Sequence, residues 1–207
     1  LIRSISPFSS LCKSSSQFPS TYSYFQPVYS VRNRKYITLE ALSRLRHPSL
    51  GPISPEVFIG VAERSGQITE LGYLQFRKVC RFVSENRELM DKLENIKINL
   101  SPMELLKDGH CQRLLQLLVE YDLPGSFFQV EVTETVATEY SESMNRAIAC
   151  FEKAGVGLCM DDFGAGYANL NTVLKFPFTV VKLDRSLLEG ICYQEQKGLF
   201  YRSIVAV

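Results

Sequence analysis

The sequence lacks a cysteine framework. Its 6 cysteines form no CxxC pair and follow no regular spacing, which argues against a disulfide-stabilised domain or a thiolate metal site. Cys80, Cys111 and Cys150 fall in apolar helical patterns, where a free buried thiol is the expected state. The first residues also lack the apolar core of a secretory signal peptide. Together these absences favour a reducing cytoplasm.

The chain is also without a long apolar run and without an excess of charge. No apolar stretch approaches the roughly 18 residues of a membrane span. The formal net charge is +1, with acidic and basic residues interspersed. Neither a DNA or RNA polymer nor an anionic membrane surface is therefore an expected partner. The 2 histidines, His47 and His110, are isolated, and no role is predicted for either.

Two nucleotide-binding signatures are missing as well. No Gly-x-x-x-x-Gly-Lys-Ser/Thr loop occurs. The triplet Asp162-Phe163-Gly164 matches the metal-binding triplet of protein kinases, but neither a glycine-rich loop nor a His-Arg-Asp segment precedes it. The triplet is therefore not interpreted as a kinase motif.

Length and composition suit one domain with a buried core, since the chain has 207 residues and is 45% apolar. Residues 1–21 are rich in serine and predict a linker or disordered arm. Residues 22–207 form the predicted domain. Because the chain does not begin with methionine, we expect it to be a piece of a longer protein.

The chain reads as a hairpin followed by alternating strands and helices. Two β-prone runs, 22–31 and 36–45, flank Arg32-Asn33-Arg34-Lys35 and predict an antiparallel hairpin. Further strands are predicted at 96–100, 128–133, 158–161 and 179–184, and helices at 72–89, 101–121, 142–154, 168–174 and 194–207, with a loop at 47–52 and a short helix from 54. Repeated strand–helix units indicate a parallel sheet with helices outside. An open doubly wound sheet and a TIM-type barrel both fit this pattern.

Polar residues recur near the carboxyl ends of the predicted strands. One face of each strand is aliphatic, and the other carries a polar residue near its end; these residues are Glu40, Asn99, Glu131, Asp161 and Lys182. A TIM barrel gathers such residues at its C-terminal mouth, where its active sites lie. The repetition favours the barrel and a common site, although each residue alone could be a satisfied polar residue of the core.

A second carboxylate, Asp162, follows Asp161 directly, and Gly164 and Gly166 supply the turn behind it. Adjacent carboxylates where a strand ends are typical of a site for a hard metal ion. They are equally typical of a solvated turn before a helix.

The candidate metal ligands are Glu40, Asn99, Glu131, Asp161 and Asp162, and all of them would bind through oxygen. Oxygen ligands suit Mg²⁺ or Mn²⁺. Two such ions about 3.5–4 Å apart clamp the attacking and leaving oxygens of a phosphoryl displacement. Lys182 could orient the attacking water or neutralise phosphate charge. Arg44 is a candidate phosphate contact, with a surface ion pair as the alternative.

Several short motifs occur in a fixed order, and together they resemble a known family. They are Tyr24-Phe-Gln-Pro27, Glu40-Ala41-Leu42, Asn99-Leu-Ser101, Glu131-Val-Thr-Glu134, Asp161-Asp-Phe-Gly-Ala-Gly-Tyr167 and Lys182-Leu-Asp184. In this order and at this spacing they resemble the EAL family of cyclic di-GMP phosphodiesterases over about residues 22–207. The resemblance implies a modified TIM barrel whose first strand runs antiparallel. It also implies bacterial second-messenger signalling by hydrolysis of cyclic di-GMP to linear pGpG, with Mg²⁺ or Mn²⁺.

The resemblance also implies a role for individual residues. Glu40, Asn99, Glu131 and Asp161 would hold one ion, Asp161 and Asp162 would bind the second, and Lys182 would contact the nucleophilic water. Lys182, Glu40 and Asp161 are thus the expected catalytic residues. Gln26, Leu42 and Arg44 match positions that contact the dinucleotide. Residues 163–174 match a loop that shapes the second metal site and a dimer interface, and a sensory or cyclase domain often precedes the domain.

The sequence departs from the family pattern at its C-terminal end. The family continues with a Glu-Gly-Val-Glu motif and a further strand that carries a glutamine, whereas this sequence ends at Val207. Since a TIM barrel takes about 250 residues, we expect an incomplete barrel of about six strands with an impaired second metal site. A catalytically inactive cyclic di-GMP sensor or a protein-interaction module is the alternative function.

Overall fold

The protein is represented by a computed structural model, which describes residues 21–133, 142–165, 175–189 and 198–199. Its strands are β1 Thr21–Ser30, β2 Lys35–His47, β3 Gly51–Ile53, β4 Asn95–Asn99, β5 Phe128–Thr133, β6 Gly157–Phe163 and β7 Phe178–Leu183. Its helices are α1 Pro55–Arg64, α2 Ile68–Glu85, α3 Leu89–Lys92, α4 Pro102–Leu105, α5 His110–Glu120, α6 Glu142–Lys153 and α7 Arg185–Leu188. A 3₁₀ turn covers Gly125–Phe127. The predicted linker 1–21 lies outside the described residues except for Thr21, which begins β1.

The described strands form one sheet in the order β1-β2-β4-β5-β6-β7, and β3 pairs with the outer end of β2. β1 and β2 are antiparallel, which confirms the predicted hairpin. The other pairs are parallel: β2 with β4, β4 with β5, β5 with β6 and β6 with β7. The α/β class and all six predicted strands are therefore confirmed. Within the described residues, the sheet runs from β1 to β7 without closing on itself.

Some element boundaries differ from the sequence prediction. The predicted loop 47–52 contains the start of β3, because Gly51 adopts φ +73° and turns the chain back to pair with His47. The helix predicted at 101–121 is two helices, α4 and α5, separated by Gly109 at φ +78°. α2 begins at Ile68 rather than 72, since Ile68 and Leu71 are buried on its inner face. The helices predicted at 168–174 and 194–207 lie largely outside the described residues.

The core lies between the aliphatic face of the sheet and the helices. Ile96, Ile98, Val130, Val132 and Leu158 are buried there, and they belong to one cluster with buried residues of α2, α5 and α6. Burial of each such side chain stabilises the folded state by about 1.5–3 kcal/mol relative to leaving it exposed to water. Helix α2 is also tied to the hairpin, because the rings of Phe25 and Phe82 stack at 4.1 Å.

Four cysteines of the described residues are free, namely Cys80, Cys111 and Cys150, for which a buried thiol was predicted, and Cys159. Cys80, Cys111 and Cys159 are buried, and Cys150 is half-buried. Burial raises the pKa of the Cys80 thiol to about 12. Among the described residues, no helix is long and apolar enough to cross a membrane.

Candidate metal centre

The carboxyl ends of the parallel strands bring three acidic side chains together. Carboxylate oxygens of Glu40 on β2, Glu131 on β5 and Asp161 on β6 all lie within 4.8 Å of one another. Asn99, at the end of β4, donates a hydrogen bond from Nδ2 to Glu40 Oε1 at 3.3 Å. The structure thus places four of the five predicted metal ligands in one cluster.

Lys182, on β7, contacts every carboxylate of this cluster. Its Nζ lies 3.2 Å from Glu40 Oε2, 3.2 Å from Glu131 Oε1 and 3.1 Å from Asp161 Oδ1. Burial opposes its charge, but the carboxylates of Glu131, Glu40 and Asp161 outweigh burial and raise the pKa of Lys182 above its usual range. Lys182 is therefore an ammonium group at neutral pH.

Strand register explains why these residues meet. Across the parallel pairs, Asn99 lies beside Glu131, and Thr133 lies beside Asp161. Side chains alternate along a strand, so residues two apart share a face. The polar strand-end residues therefore share the face opposite the aliphatic core, as predicted.

Glu131 is the most deeply buried acid of the cluster, with 1% of its surface exposed. Burial and the nearby carboxylate of Glu40 raise the pKa of Glu131, while the ammonium groups of Lys182 and Lys97 act in the opposite direction. Its second oxygen, Oε2, is buried and has no hydrogen-bond partner among the described residues. A buried carboxylate oxygen without a partner is costly unless a cation or donor meets it.

These observations test whether the cluster suits a metal ion. Its ligand atoms are oxygens of carboxylates and an amide, which hard divalent cations prefer. The carboxylate oxygens of Glu40, Glu131 and Asp161 lie within 4.8 Å of one another, which is about twice the 2.0–2.6 Å of a Mg²⁺ or Ca²⁺ ligand bond. The unpartnered Oε2 of Glu131 supplies a further free acceptor. The residues present therefore fit a divalent cation.

Asp162 does not join this cluster. It adopts φ +55°, a left-handed conformation that interrupts the alternation of β6, and its side chain is exposed. Its backbone N–H donates to Asp161 Oδ1 at 3.0 Å. The next turn needs Gly164, which has φ +93° and whose added Cβ would lie 2.4 Å from Leu187 Cδ1. The role of Asp162 as a ligand of a second ion stays a prediction.

A cleft of about 470 Å³ opens beside the carboxylates, and Glu40, Leu42, Arg44 and Asn99 are among its lining residues. The Arg44 guanidinium lies 5.7 Å from the centre of the Tyr24 ring and donates to the Ser43 carbonyl at 2.9 Å. The cleft thus contains two of the three predicted substrate contacts. The third, Gln26, lies opposite Glu40 in the hairpin and is exposed.

A model of the EAL domain matches residues 17–207. The chain belongs to the EAL domain family.

The chain is also similar in sequence to individual proteins. The chain is 30% identical over 184 residues to the cyclic di-GMP phosphodiesterase RocR of Pseudomonas aeruginosa, covering 89% of the chain and 47% of RocR. It is 33% identical over 184 residues to the cyclic di-GMP phosphodiesterase PdeR of Escherichia coli, covering 89% of the chain and 28% of PdeR. The chain thus spans less than half the length of either relative.

The fold agrees with a solved EAL structure. The complex of the PaMucR phosphodiesterase with c-di-GMP superposes with a TM-score of 0.81 at 28% identity, covering 91% of the chain and 76% of that structure. The predicted TIM-like architecture is thereby confirmed.

The sequence analysis missed two buried features near the carboxylate cluster and the cleft: Lys97, and the pair of Glu104 and His110. Lys97, on the same face of β4 as Asn99, contacts Glu131 Oε1 at 3.4 Å. Glu104 lines the floor of the cleft, and Oε1 of its buried carboxylate lies 3.1 Å from Nε2 of buried His110, for which no role was predicted. Strand alternation could have identified Lys97, since it lies two residues before Asn99. No pattern in the sequence pairs Glu104 with His110.

Proposed function

We propose that this EAL domain hydrolyses cyclic di-GMP to linear pGpG with the aid of Mg²⁺ or Mn²⁺. The observation that carries the proposal is the convergence of Glu40, Glu131 and Asp161 on Lys182 beside the cleft. The names of RocR and PdeR as cyclic di-GMP phosphodiesterases support the choice of substrate.

The cluster would hold the metal. Glu40, Asn99, Glu131 and Asp161 are the proposed ligands of one ion, and Asp161 and Asp162 those of a second. A bound divalent ion polarises the phosphate and lowers the pKa of a water molecule.

The cleft would bind the dinucleotide. Arg44 is proposed to contact a phosphate, because a guanidinium group matches two phosphate oxygens. The Tyr24 ring lies 5.7 Å from the Arg44 guanidinium, within the range of a cation–π contact. Leu42 offers an apolar contact and Gln26 an amide to the rest of the ligand.

Hydrolysis forms a bond between the water oxygen and phosphorus and breaks the bond from phosphorus to the 3′ oxygen. The product carries a 5′ phosphate and a free 3′ hydroxyl group, and the 3′ oxygen takes a proton that replaces the one lost by water. Lys182, whose Nζ contacts all three carboxylates of the cluster, is proposed to donate hydrogen bonds to the attacking water or to phosphate oxygens.

The decisive experiment incubates the purified 207-residue chain with cyclic di-GMP and either Mn²⁺ or Mg²⁺, and measures pGpG by chromatography. We expect pGpG from the wild-type chain, and a loss of about 100-fold or more in rate from Asp161→Asn, as expected when a charge at the reacting centre is removed. Asp122→Asn is the matched control, because Asp122 is exposed and forms its ion pair with Arg87, which is not part of the cluster. Binding of cyclic di-GMP without pGpG would instead favour the sensor function.

Assembly and location follow from the family resemblance and are proposals too. We infer a cytoplasmic domain that forms a homodimer and is regulated by a sensory or cyclase domain elsewhere in a longer protein. The greater length of RocR and PdeR supports the last of these. Light scattering on the purified chain measures the oligomeric state, and a monomer at micromolar concentration would contradict the dimer.

A further inference from the structure

A buried lysine lies behind the carboxylate cluster. Lys97 is in the middle of β4, beside Glu40 in the parallel register with β2, and 7% of its side chain is exposed. Its Nζ lies 3.4 Å from Glu131 Oε1 and 3.6 Å from the sulfur of Cys159. A buried ammonium group is costly unless an acid compensates it, and Glu131 is the acid that Lys97 contacts.

The two oxygens of Glu131 have different surroundings. Oε1 lies near three donors: the ammonium groups of Lys97 at 3.4 Å and Lys182 at 3.2 Å, and the thiol of Cys159 at 3.5 Å. Oε2 is buried and has no hydrogen-bond partner within the described part of the chain. One oxygen is therefore anchored, and the other is left free.

Lys97 and Lys182 differ in how many carboxylates they contact. Lys182 contacts Glu40, Glu131 and Asp161 together, so it serves the whole cluster. Lys97 forms its ion pair with Glu131. Any movement of Lys182 towards substrate would leave Lys97 as the charged partner of Glu131.

We propose that Lys97 is a positioning residue for the metal ion: it anchors Glu131 through Oε1 so that Oε2 remains available to the cation. This inference rests on the proposed function, since it assumes that Glu131 binds a metal. Hydrogen-bonded partners behind metal ligands orient those ligands and raise metal affinity about 10- to 100-fold. Repulsion between a second ammonium group and a divalent cation acts in the opposite direction and would lower metal affinity. The sign of the effect therefore decides the proposal.

The test measures Mn²⁺ affinity directly, without nucleotide and without turnover. The 207-residue chain is titrated with Mn²⁺, and the free ion is followed by its electron paramagnetic resonance signal. Lys97→Met removes the donor and the charge while keeping the length of the side chain, and we expect Mn²⁺ affinity to fall about tenfold or more. Lys97→Gln retains an N–H donor and should fall between wild type and Lys97→Met. Lys107→Met, at an exposed position, should leave the affinity unchanged.

Four outcomes are informative. Wild-type or tighter Mn²⁺ binding by Lys97→Met overturns the proposal and makes Lys97 a competitor of the cation. If Lys97→Met shows no cooperative unfolding transition in EDTA, it is not folded, and Lys97→Gln takes its place in the test. Unchanged Mn²⁺ affinity in Lys97→Gln then overturns the proposal. A wild-type chain that binds no Mn²⁺ overturns this inference together with the metal-dependent function. A chain that hydrolyses cyclic di-GMP while Lys97→Met binds Mn²⁺ normally overturns this inference alone.

Discussion

Two glutamates are buried among the residues that the structure describes, and their carboxylates are compensated in different ways. Glu131 faces the ammonium groups of Lys97 and Lys182. Glu104 accepts a hydrogen bond from the Ser101 backbone N–H at 2.9 Å and pairs with His110 Nε2 at 3.1 Å. Burial raises the pKa of Glu104, although the hydrogen bonds from His110 and Ser101 oppose the shift. Burial thus makes ionisation of Glu104 less favourable than that of an exposed glutamate.

Replacing Glu104 with glutamine should therefore change stability in a pH-dependent way. A raised pKa means that the folded protein retains a proton that the unfolded chain has lost, so wild-type stability falls as pH rises above the ordinary glutamate value of about 4.3. Glu104→Gln keeps the size and an acceptor but cannot ionise. We expect its melting temperature relative to wild type to rise between pH 4.5 and 7.5, by about 2–4 °C per kcal/mol for a chain of this length. Thermal unfolding in EDTA measures this difference.

The matched control for that experiment is Glu152→Gln, at an exposed position of α6. Its melting temperature relative to wild type should stay nearly constant over the same pH range. A difference between Glu104→Gln and wild type that does not grow with pH would show that Glu104 ionises as readily as a glutamate in the unfolded chain.

At the scale of elements, the floor of the cleft depends on a close approach of α2 to α4. Gly72, in the first half of α2, is buried, and a Cβ added there would lie 1.6 Å from Glu104 Oε1. Glycine within a helix costs about 1 kcal/mol relative to alanine. Here the missing side chain provides the space into which Glu104 folds back to complete the Ser101 capping box at the start of α4.

Gly72→Ala should consequently destabilise the protein, against the usual propensity of alanine. We expect a loss of about 1–3 kcal/mol in the free energy of unfolding, as for other overpacked sites, measured by urea denaturation. Gly60→Ala on α1 is the control, because its Cβ would lie 3.3 Å from the flexible end of Arg64, and it should be neutral or stabilising by up to about 1 kcal/mol. Adding Glu104→Ala to Gly72→Ala should recover part of the loss. Equal effects of Gly72→Ala and Gly60→Ala would contradict the close approach.

The strands and helices were predictable where the spacing of apolar residues follows either the strand or the helix period alone. The alternating strands and the end of α6 near residue 154 follow from local pattern, and so does the hairpin across residues 32–35. The break between α4 and α5 was not predicted, because Gly109 lies in a stretch whose apolar spacing continues on both sides. Glycine adopts a left-handed backbone without a Cβ penalty, and Asp-Gly is a common turn signal, so Asp108-Gly109 permits the break that the apolar spacing conceals.

At the scale of the whole molecule, the site is assembled from distant parts of the chain. Glu40 and Lys182, which are 142 residues apart, are joined by one contact. Strand alternation predicted which residues share this face, because that depends on sequence position alone. The contacts of Lys97 and the left-handed backbone of Asp162 were missed, since they depend on strand register and on the irregular pairing of β6 with β7. A cation held here would link the carboxyl ends of β2, β4, β5 and β6.

Metal binding should therefore protect those strand ends from hydrogen exchange as a group. The Leu100 N–H donates to the Glu131 carbonyl, and the Asp162 N–H donates to Asp161 Oδ1, so both amides report on the site. With Mn²⁺ at 100 times its dissociation constant, amides that exchange through opening of the site should slow by about 100-fold. The exposed turn at 31–34 provides an internal control and should exchange at the same rate with or without metal.

Mass spectrometry of exchanged peptides with Mn²⁺ and with EDTA distinguishes this linkage from a local effect. Asp161→Asn should lose the protection at Leu100 as well as at Asp162, although Leu100 belongs to a different part of the sheet, because a single ion would connect both. Protection confined to the peptide that contains residues 161–162 would mean that Asp161 and Asp162 bind the cation without Glu40, Asn99 and Glu131. The cluster would then be a resting arrangement of Lys182 and its carboxylates rather than a metal site shared by four strands.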